Sequence, residues 1–266
     1  MNTIIKCFPN GKFKALTMSY DDGKLADKRL VKIFNKYGIK GTFHLNSGFL
    51  DSEDHVKKEE VKTLYEGHEI SSHTLTHPTI ARCSNEEIVK QTLGDRENLE
   101  ELAGYAVRGM SYPNGSYNSN IKSMLKYLGI EYSRVVGSKD NFDLPDDFYA
   151  WQATCHHNHN LMENAENFVS LFKKQYLYLM YVWGHSYEFD RDNNWDLIER
   201  FCNYVSNKDD IWYATNIEIV DYMKLLDNLK FSSKGKFVYN PSFKSAWISF
   251  NDKVIEIEGG SQVELF

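Results

Sequence analysis

No apolar run in the 266 residues is long enough to cross a bilayer, which excludes a helical membrane span from the expectation. Met1 to Pro9 carries one lysine and no long apolar stretch. It makes a poor export signal, so a cytoplasmic chain is expected, or one whose leader has been removed. No Cys-x-x-Cys pair exists: Cys7, Cys83, Cys155 and Cys202 stand far apart. That spacing disfavours a zinc ribbon or a dithiol redox centre and leaves buried free thiols. Basic residues are not in excess either. Thirty-one stand against 37 acidic ones, a net charge of −6, which removes a general affinity for nucleic acid or an anionic membrane. Hydrophobic content of 42% and charge of 26% are ordinary for a soluble domain, and the length fits one large domain with room for a small appendage. Aromatic residues are plentiful at 14%, with seventeen tyrosines and five tryptophans. Such rings fill cores and also stack on sugars.

Short β-favouring runs alternate with amphipathic stretches along most of the chain. Strands are expected at 15–20, 41–45, 68–71, 107–112, 130–133, 176–183 and 211–214, and helices at 25–37, 56–65, 85–103, 121–128, 163–174, 195–205 and 217–229. This alternation is the pattern of an α/β fold. The run from Tyr176 to Trp183 has no charge and suits a strand buried on both faces. Between 136 and 159 the periodicity lapses into a long loop holding Trp151 and the cluster His156-His157-Asn158-His159. A solvated polar loop is the first expectation there, with a second metal site as the alternative. Beyond Phe231, β runs at 236–239, 246–250, 254–257 and 263–266 suggest a small antiparallel sheet.

Three places follow strand ends, where α/β folds collect their chemical groups. Ser19-Tyr20-Asp21-Asp22-Gly23 sets two carboxylates on a turn; alone, these residues also suit an ordinary turn and helix cap. His73 and His77 lie four apart, so that on one helical turn both imidazoles would face the same way. With a carboxylate they would give three ligands to one ion and leave a position for water. The residue after His73 is Thr74 rather than the glutamate of zinc proteases, so a base must come from elsewhere, and a second aspartate beside the ligating one would supply it. His185 ends the apolar strand, where an imidazole can move a proton near neutral pH.

Taken together over roughly residues 12 to 225, these motifs resemble the polysaccharide deacetylase family, carbohydrate esterase family 4. The resemblance implies a distorted (β/α) barrel of about seven strands over 1–229 with a C-terminal antiparallel β appendage over 230–266. It implies Asp21 as general base, Asp22, His73 and His77 as metal ligands, and His185 as general acid. Zinc is the expected ion, with cobalt, nickel or iron as substitutes, and the substrate an acetylated sugar or oligosaccharide. In the third motif Ser111 stands where the family has arginine, leaving Arg108, five residues before Pro113, to orient the base. The tyrosine that follows the family's proline is Asn114 here. Tyr112, Pro113 and Trp151 are the expected substrate contacts, the Tyr112 N–H an expected oxyanion donor, and Asp147 the loose counterpart of the aspartate that tunes the acid. Two other classes compete: a catalytically silent carbohydrate-binding or scaffold protein, and a non-haem iron oxygenase, whose two-histidine, one-carboxylate set is the same.

Overall fold

A computed structural model describes residues 3–265. Met1 and Asn2, part of the expected barrel span, and Phe266, the end of the last expected strand, lie outside the described residues. In chain order the elements are β1 (Ile4–Cys7), β2 (Lys14–Asp21), α1 (Asp27–Tyr37), β3 (Gly41–Leu45), α2 (Val61–Leu64), β4 (Glu69–Ser72), α3 (Asn85–Ala103), β5 (Gly109–Ser111) and α4 (Ser119–Tyr127). There follow β6 (Tyr132–Ser138), β7 (Trp151–Ala153), β8 (Cys155–His156), α5 (Leu161–Ser170), β9 (Tyr178–His185), α6 (Tyr187–Arg191), α7 (Trp195–Val205), β10 (Ile211–Tyr213) and α8 (Asn216–Asn228). The tail adds β11 (Lys230–Phe231), β12 (Phe237–Tyr239), β13 (Ala246–Phe250), β14 (Lys253–Ile257) and β15 (Gln262–Glu264).

Strands β2 to β10 form one parallel sheet in the order β7-β6-β5-β4-β3-β2-β9-β8. The short β7 pairs with β6 and the short β8, two residues on, pairs with β9. One extended segment thus joins both ends of the sheet and closes it into a barrel, inside the stretch expected to be loop. The ninth strand, β10, shares an edge of β2 with β3: it pairs with Lys14 to Leu16, and β3 with Met18 to Asp21.

Period-two alternation sorts the side chains of this barrel. On β2, Leu16, Met18 and Tyr20 join the apolar layer under α1 and α7, with Leu30, Phe34, Phe201 and Val205. The intervening Thr17, Ser19 and Asp21 face inward and are equally buried. The interior is therefore polar and hydrogen-bonded. Ser19 Oγ meets His44 Nε2 at 2.8 Å, and Glu69 accepts from the Tyr132 hydroxyl, Thr42 Oγ1 and the Ile217 N–H at 2.7, 2.9 and 2.8 Å. That last bond brings the start of α8 against the N-terminal end of the barrel, where the free amides of a helix start suit a carboxylate.

The tail forms two three-stranded antiparallel sheets, β1-β13-β14 and β11-β12-β15. The first recruits the N-terminal strand, which the sequence pattern did not suggest. Ile248, Phe250, Val238 and Leu265 share an apolar cluster with Ile219, Val220 and Leu226 of α8, so the tail packs on that helix. Among the described residues no helix is long and apolar enough to cross a membrane.

Candidate active site

At the C-terminal ends of the parallel strands, the inward-facing parity brings distant residues together. Asp21 ends β2 and pairs in register with His44 of β3 on one side and His185 of β9 on the other. The next residue, Asp22, adopts φ +82°, a left-handed conformation that aspartate tolerates better than most residues. The chain turns there, so Asp21 stays inside the barrel while Asp22 lines the clefts at its mouth.

His73 and His77 reach Asp22 by a bend, not the helical turn that their spacing suggested. Thr74 and His77 both take positive φ, +66° and +55°. A β-branched residue there is strained, and the surroundings hold it. Asn46 Nδ2 donates to the carbonyls of His73 and Thr74 at 2.5 and 2.8 Å, and the His77 N–H donates to Thr74 Oγ1 at 3.1 Å. Gly48 matters for the same bend, because a Cβ on it would lie 2.4 Å from the Leu75 carbonyl oxygen. The outcome is convergence: His73 Nε2 and His77 Nε2 stand 3.7 and 4.0 Å from Asp22 Oδ1, and ligand atoms of the three residues all lie within 4.8 Å of one another.

His73 is oriented from behind. Its Nδ1–H donates to the Ser111 carbonyl at 2.9 Å, which leaves the Nε2 lone pair turned toward Asp22. Burial pushes its pKa down despite the carboxylates of Asp21 and Asp22, so the ring is held neutral, the form that can ligate a cation. This arrangement fits a divalent ion held by one carboxylate oxygen and two imidazoles.

Asp21 is almost wholly buried and carries the strongest ion pair of the site, with Arg134 Nη2 of β6. Ser111 Oγ donates to its other oxygen at 3.1 Å. Burial alone would raise this carboxyl's pKa, but Arg134 and the histidines His73, His44 and His185 outweigh it and hold it well below the usual range. Arg134 is itself fully buried, its guanidinium over the Trp183 ring at 4.4 Å from the centroid. His185 Nδ1 lies 3.3 Å from Glu188 Oε2 on α6. Burial works against its charge, yet Glu188, Asp21 and Asp22 together leave its pKa raised.

Several expected residues are not brought to this centre. Arg108 precedes β5 at the other end of the barrel, where it makes a two-pronged pair with Asp221 at 2.8 Å and contacts Glu131 at 3.1 Å. Arg134 stands beside Asp21 in its place. Trp151 is fully buried among Tyr132, Phe148 and Tyr181, with ring centroids 5.6, 5.0 and 4.8 Å away, and has no face for substrate. Tyr112 is buried with its hydroxyl donating to the Tyr149 carbonyl at 2.9 Å. Its N–H donates to the Arg134 carbonyl at 3.0 Å, so that amide is not available to an oxyanion. Pro113 is buried at the start of a 3-10 turn. Asp147 pairs with Lys122 at 2.7 Å, and Glu188 is the carboxylate that meets His185. The rings that do face the clefts are Phe49 and Tyr187. Two adjoining spaces of about 510 and 400 Å³ share Asp22 and Lys24; the first is walled by Tyr187, Asp54 and Asp190, the second by Phe49, His55 and His77.

Comparison with known proteins agrees with the motif resemblance. The profile of the polysaccharide deacetylase family matches residues 9–133. Peptidoglycan-N-acetylglucosamine deacetylase PgdA of Listeria monocytogenes serotype 1/2a (strain 10403S) is 26% identical over 123 residues, 45% of this chain and 26% of that one. The matched stretch thus spans about a quarter of that relative's length. Among solved structures, a Mycobacterium smegmatis protein assigned to the polysaccharide deacetylases superposes with a TM-score of 0.64 at 18% identity, covering 84% of this chain and 94% of that one. A family 4 acetyl xylan esterase from Clostridium thermocellum, in complex with a cobalt ion, superposes with a TM-score of 0.56 at 12% identity, covering 79% and 92%. At these identities the two structures establish a shared fold, the expected distorted (β/α) barrel.

Proposed function

Since residues 9–133 match the profile of the polysaccharide deacetylase family, we propose that the chain is a metal-dependent hydrolase that removes acetyl groups, N- or O-linked, from a carbohydrate. The observation that carries this reading is the convergence of Asp22, His73 and His77 at the cleft, directly beside the buried Asp21. One carboxylate and two neutral imidazoles suit zinc, with cobalt, nickel or iron as workable substitutes. Such an ion, when bound, supplies Lewis-acid polarisation of the acyl carbonyl and acidifies water at its open position toward a pKa of about 7.

The protein's own groups do the rest. Asp21, kept ionised by Arg134 and hydrogen-bonded by Ser111, accepts the proton of the attacking water. Its tight pairing costs basicity but fixes the carboxylate in one place. His185, with its proton favoured by Glu188, protonates the departing amine or hydroxyl as the acyl bond breaks, giving acetate and a free sugar group. Glu188 acts on the reaction only through His185 and is a positioning residue. Phe49 and Tyr187 offer aromatic faces to a sugar at the cleft walls. A parallel barrel with alternating helices speaks against the oxygenase reading, whose usual scaffold is a double β-sheet. Arg134 filling the missing arginine's role speaks against the silent-scaffold reading.

Acetate release from a panel of acetylated chitooligosaccharides, peptidoglycan fragments and xylan by the zinc-loaded chain tests the proposal. Release that disappears in Asp21→Asn supports it; release no greater than that of Asp21→Asn on every member sinks it. His185→Ala should lose about 10²-fold on an acetamide and much less on an activated aryl acetate, whose leaving group needs no proton.

A further inference from the structure

Behind His185 lies a second cluster: His156 Nε2 and His157 Nε2 stand 3.0 and 3.5 Å from Glu188 Oε2, and the three ligand atoms fall within 4.8 Å of one another. By proximity alone it resembles another cation site. The tautomer of His156 excludes that. The Asn158 N–H donates to His156 Nδ1 at 3.1 Å, so in the neutral ring the proton sits on Nε2, the nitrogen facing Glu188. A nitrogen carrying a proton donates a hydrogen bond and cannot ligate. His157 supplies no substitute: its ring is fully buried and stacked between Tyr20 and Phe189, at centroid distances of 5.7 and 4.2 Å, over a Gly184 whose Cβ would strike it.

We propose that His156 is a positioning residue for the general acid, its Nε2–H holding the Glu188 carboxylate against His185. The inference rests on the acid role given above to His185. Glu188 Oε2 receives the His185 backbone N–H at 3.1 Å, His156 Nε2–H at 3.0 Å, and faces His185 Nδ1 at 3.3 Å. Among the described residues its other oxygen meets only the exposed Arg191, at 3.4 Å. α6 is a five-residue helix at the mouth of the barrel, too short to fix a side chain by itself. His156 ties that carboxylate to β8, a strand of the barrel wall. The anchor is reinforced on both sides: Asn158 Nδ2 donates to Asp192 Oδ2 at 2.9 Å, and Asn194 Nδ2 donates to Asn158 Oδ1 at 3.0 Å. The carboxylate that orients the acid is thereby referenced to the rigid sheet rather than to the loop that carries it.

Two measurements on the full chain test this. In His156→Ala, kcat should fall about tenfold on an acetamide substrate with KM unchanged, and stay near the parental value on an activated aryl acetate. His156→Gln, which keeps an N–H donor, should recover most of the loss. Equal losses on amide and ester, or no rescue by glutamine, would overturn the proposal as a general structural lesion. Independently of turnover, long-range proton–nitrogen NMR correlations should report His156 as the Nε2-protonated tautomer. The Nδ1-protonated tautomer, or a second bound zinc per chain that vanishes in His156→Ala, also overturns it. A parental chain that releases no acetate while His156 keeps the expected tautomer counts against the deacetylase reading and leaves the Glu188 anchor supported.

Discussion

The first half of the chain holds its chemical groups in short runs: Asp21 beside Asp22, and His73 four residues from His77. The second half sets Arg134 alone on a barrel strand, far along the chain from His185 and Glu188 at the end of another strand and on the short helix after it. The contrast follows from what each set must do in the proposed reaction. Ligands for one cation have to meet within a few ångströms at fixed angles, and a local bend or turn achieves that most economically. A charge partner for a buried carboxylate needs only to arrive at the right height inside the barrel. An inward-facing position elsewhere on the barrel wall will serve, as β6 does across from β2.

Substitutions can break or sharpen this contrast. The largest effect is expected in the first half, where Asp22→Ala should lose the bound ion and at least about 10³-fold in kcat/KM, while Asp21→Asn retains the ion and loses as much turnover. Metal analysis beside acetate release separates the two; retention of a full ion by Asp22→Ala would remove that residue from the ligand set. Next comes the second half's main contribution. Arg134→Met leaves Asp21 buried and unpaired, and chemical denaturation should register a loss of about 3–5 kcal/mol, much of it restored when Asp21→Asn is added. If the double variant is no better than the single one, Arg134 is not there for that carboxylate.

Glu69 joins the halves, since Ile217 of the second donates to it alongside Tyr132 of the first. Burial raises its pKa to about 7 from an ordinary value of 4.5, although its hydrogen bonds oppose the shift. Because the folded value is the higher one, its contribution to stability is complete below about pH 4.5 and is lost as pH rises through about 7. Relative to the parent, Glu69→Gln should therefore gain on the order of 2 kcal/mol between pH 4.5 and 8, read from urea midpoints at both pH values. A constant difference across that range would contradict the shift. The smallest effect belongs to Arg108→Ala. Its pairs with Asp221 and Glu131 are about a third exposed, so a loss under about 1 kcal/mol is expected, with kcat/KM unchanged. A drop in turnover there would return Arg108 to the catalytic set.

The barrel and the convergence of Asp22, His73 and His77 were legible in the sequence because both rest on local patterns. Runs of apolar and β-favouring residues marked β2 and β9, and the motifs marked Asp22, His73 and His77. Trp151 misled because aromatic residues suit sugar faces and cores alike, and only burial separates the two uses. Arg134 left a trace that could have been followed: a lone charge flanked by Tyr132, Ser133, Val135 and Val136 in a strand must find a partner inside. Ser111 was visible as a departure from the family pattern, yet its double role, hydroxyl to Asp21 and carbonyl to His73, depends on β5 lying between β4 and β6. Glu188 was hidden because it acts from a one-turn helix with no periodicity to reveal it.

The pairing of β1 with β13 carries a consequence for how the molecule is made. Ile4 to Cys7 are synthesised some 240 residues before their partners, Trp247 to Phe250. At typical elongation rates of about 5–20 residues per second, that strand waits on the order of ten seconds or more with its edge open. The barrel can close without it. A strand made so far ahead of its partner is thus among the last to be secured, and a chaperone that shields nascent strands would have a long engagement there.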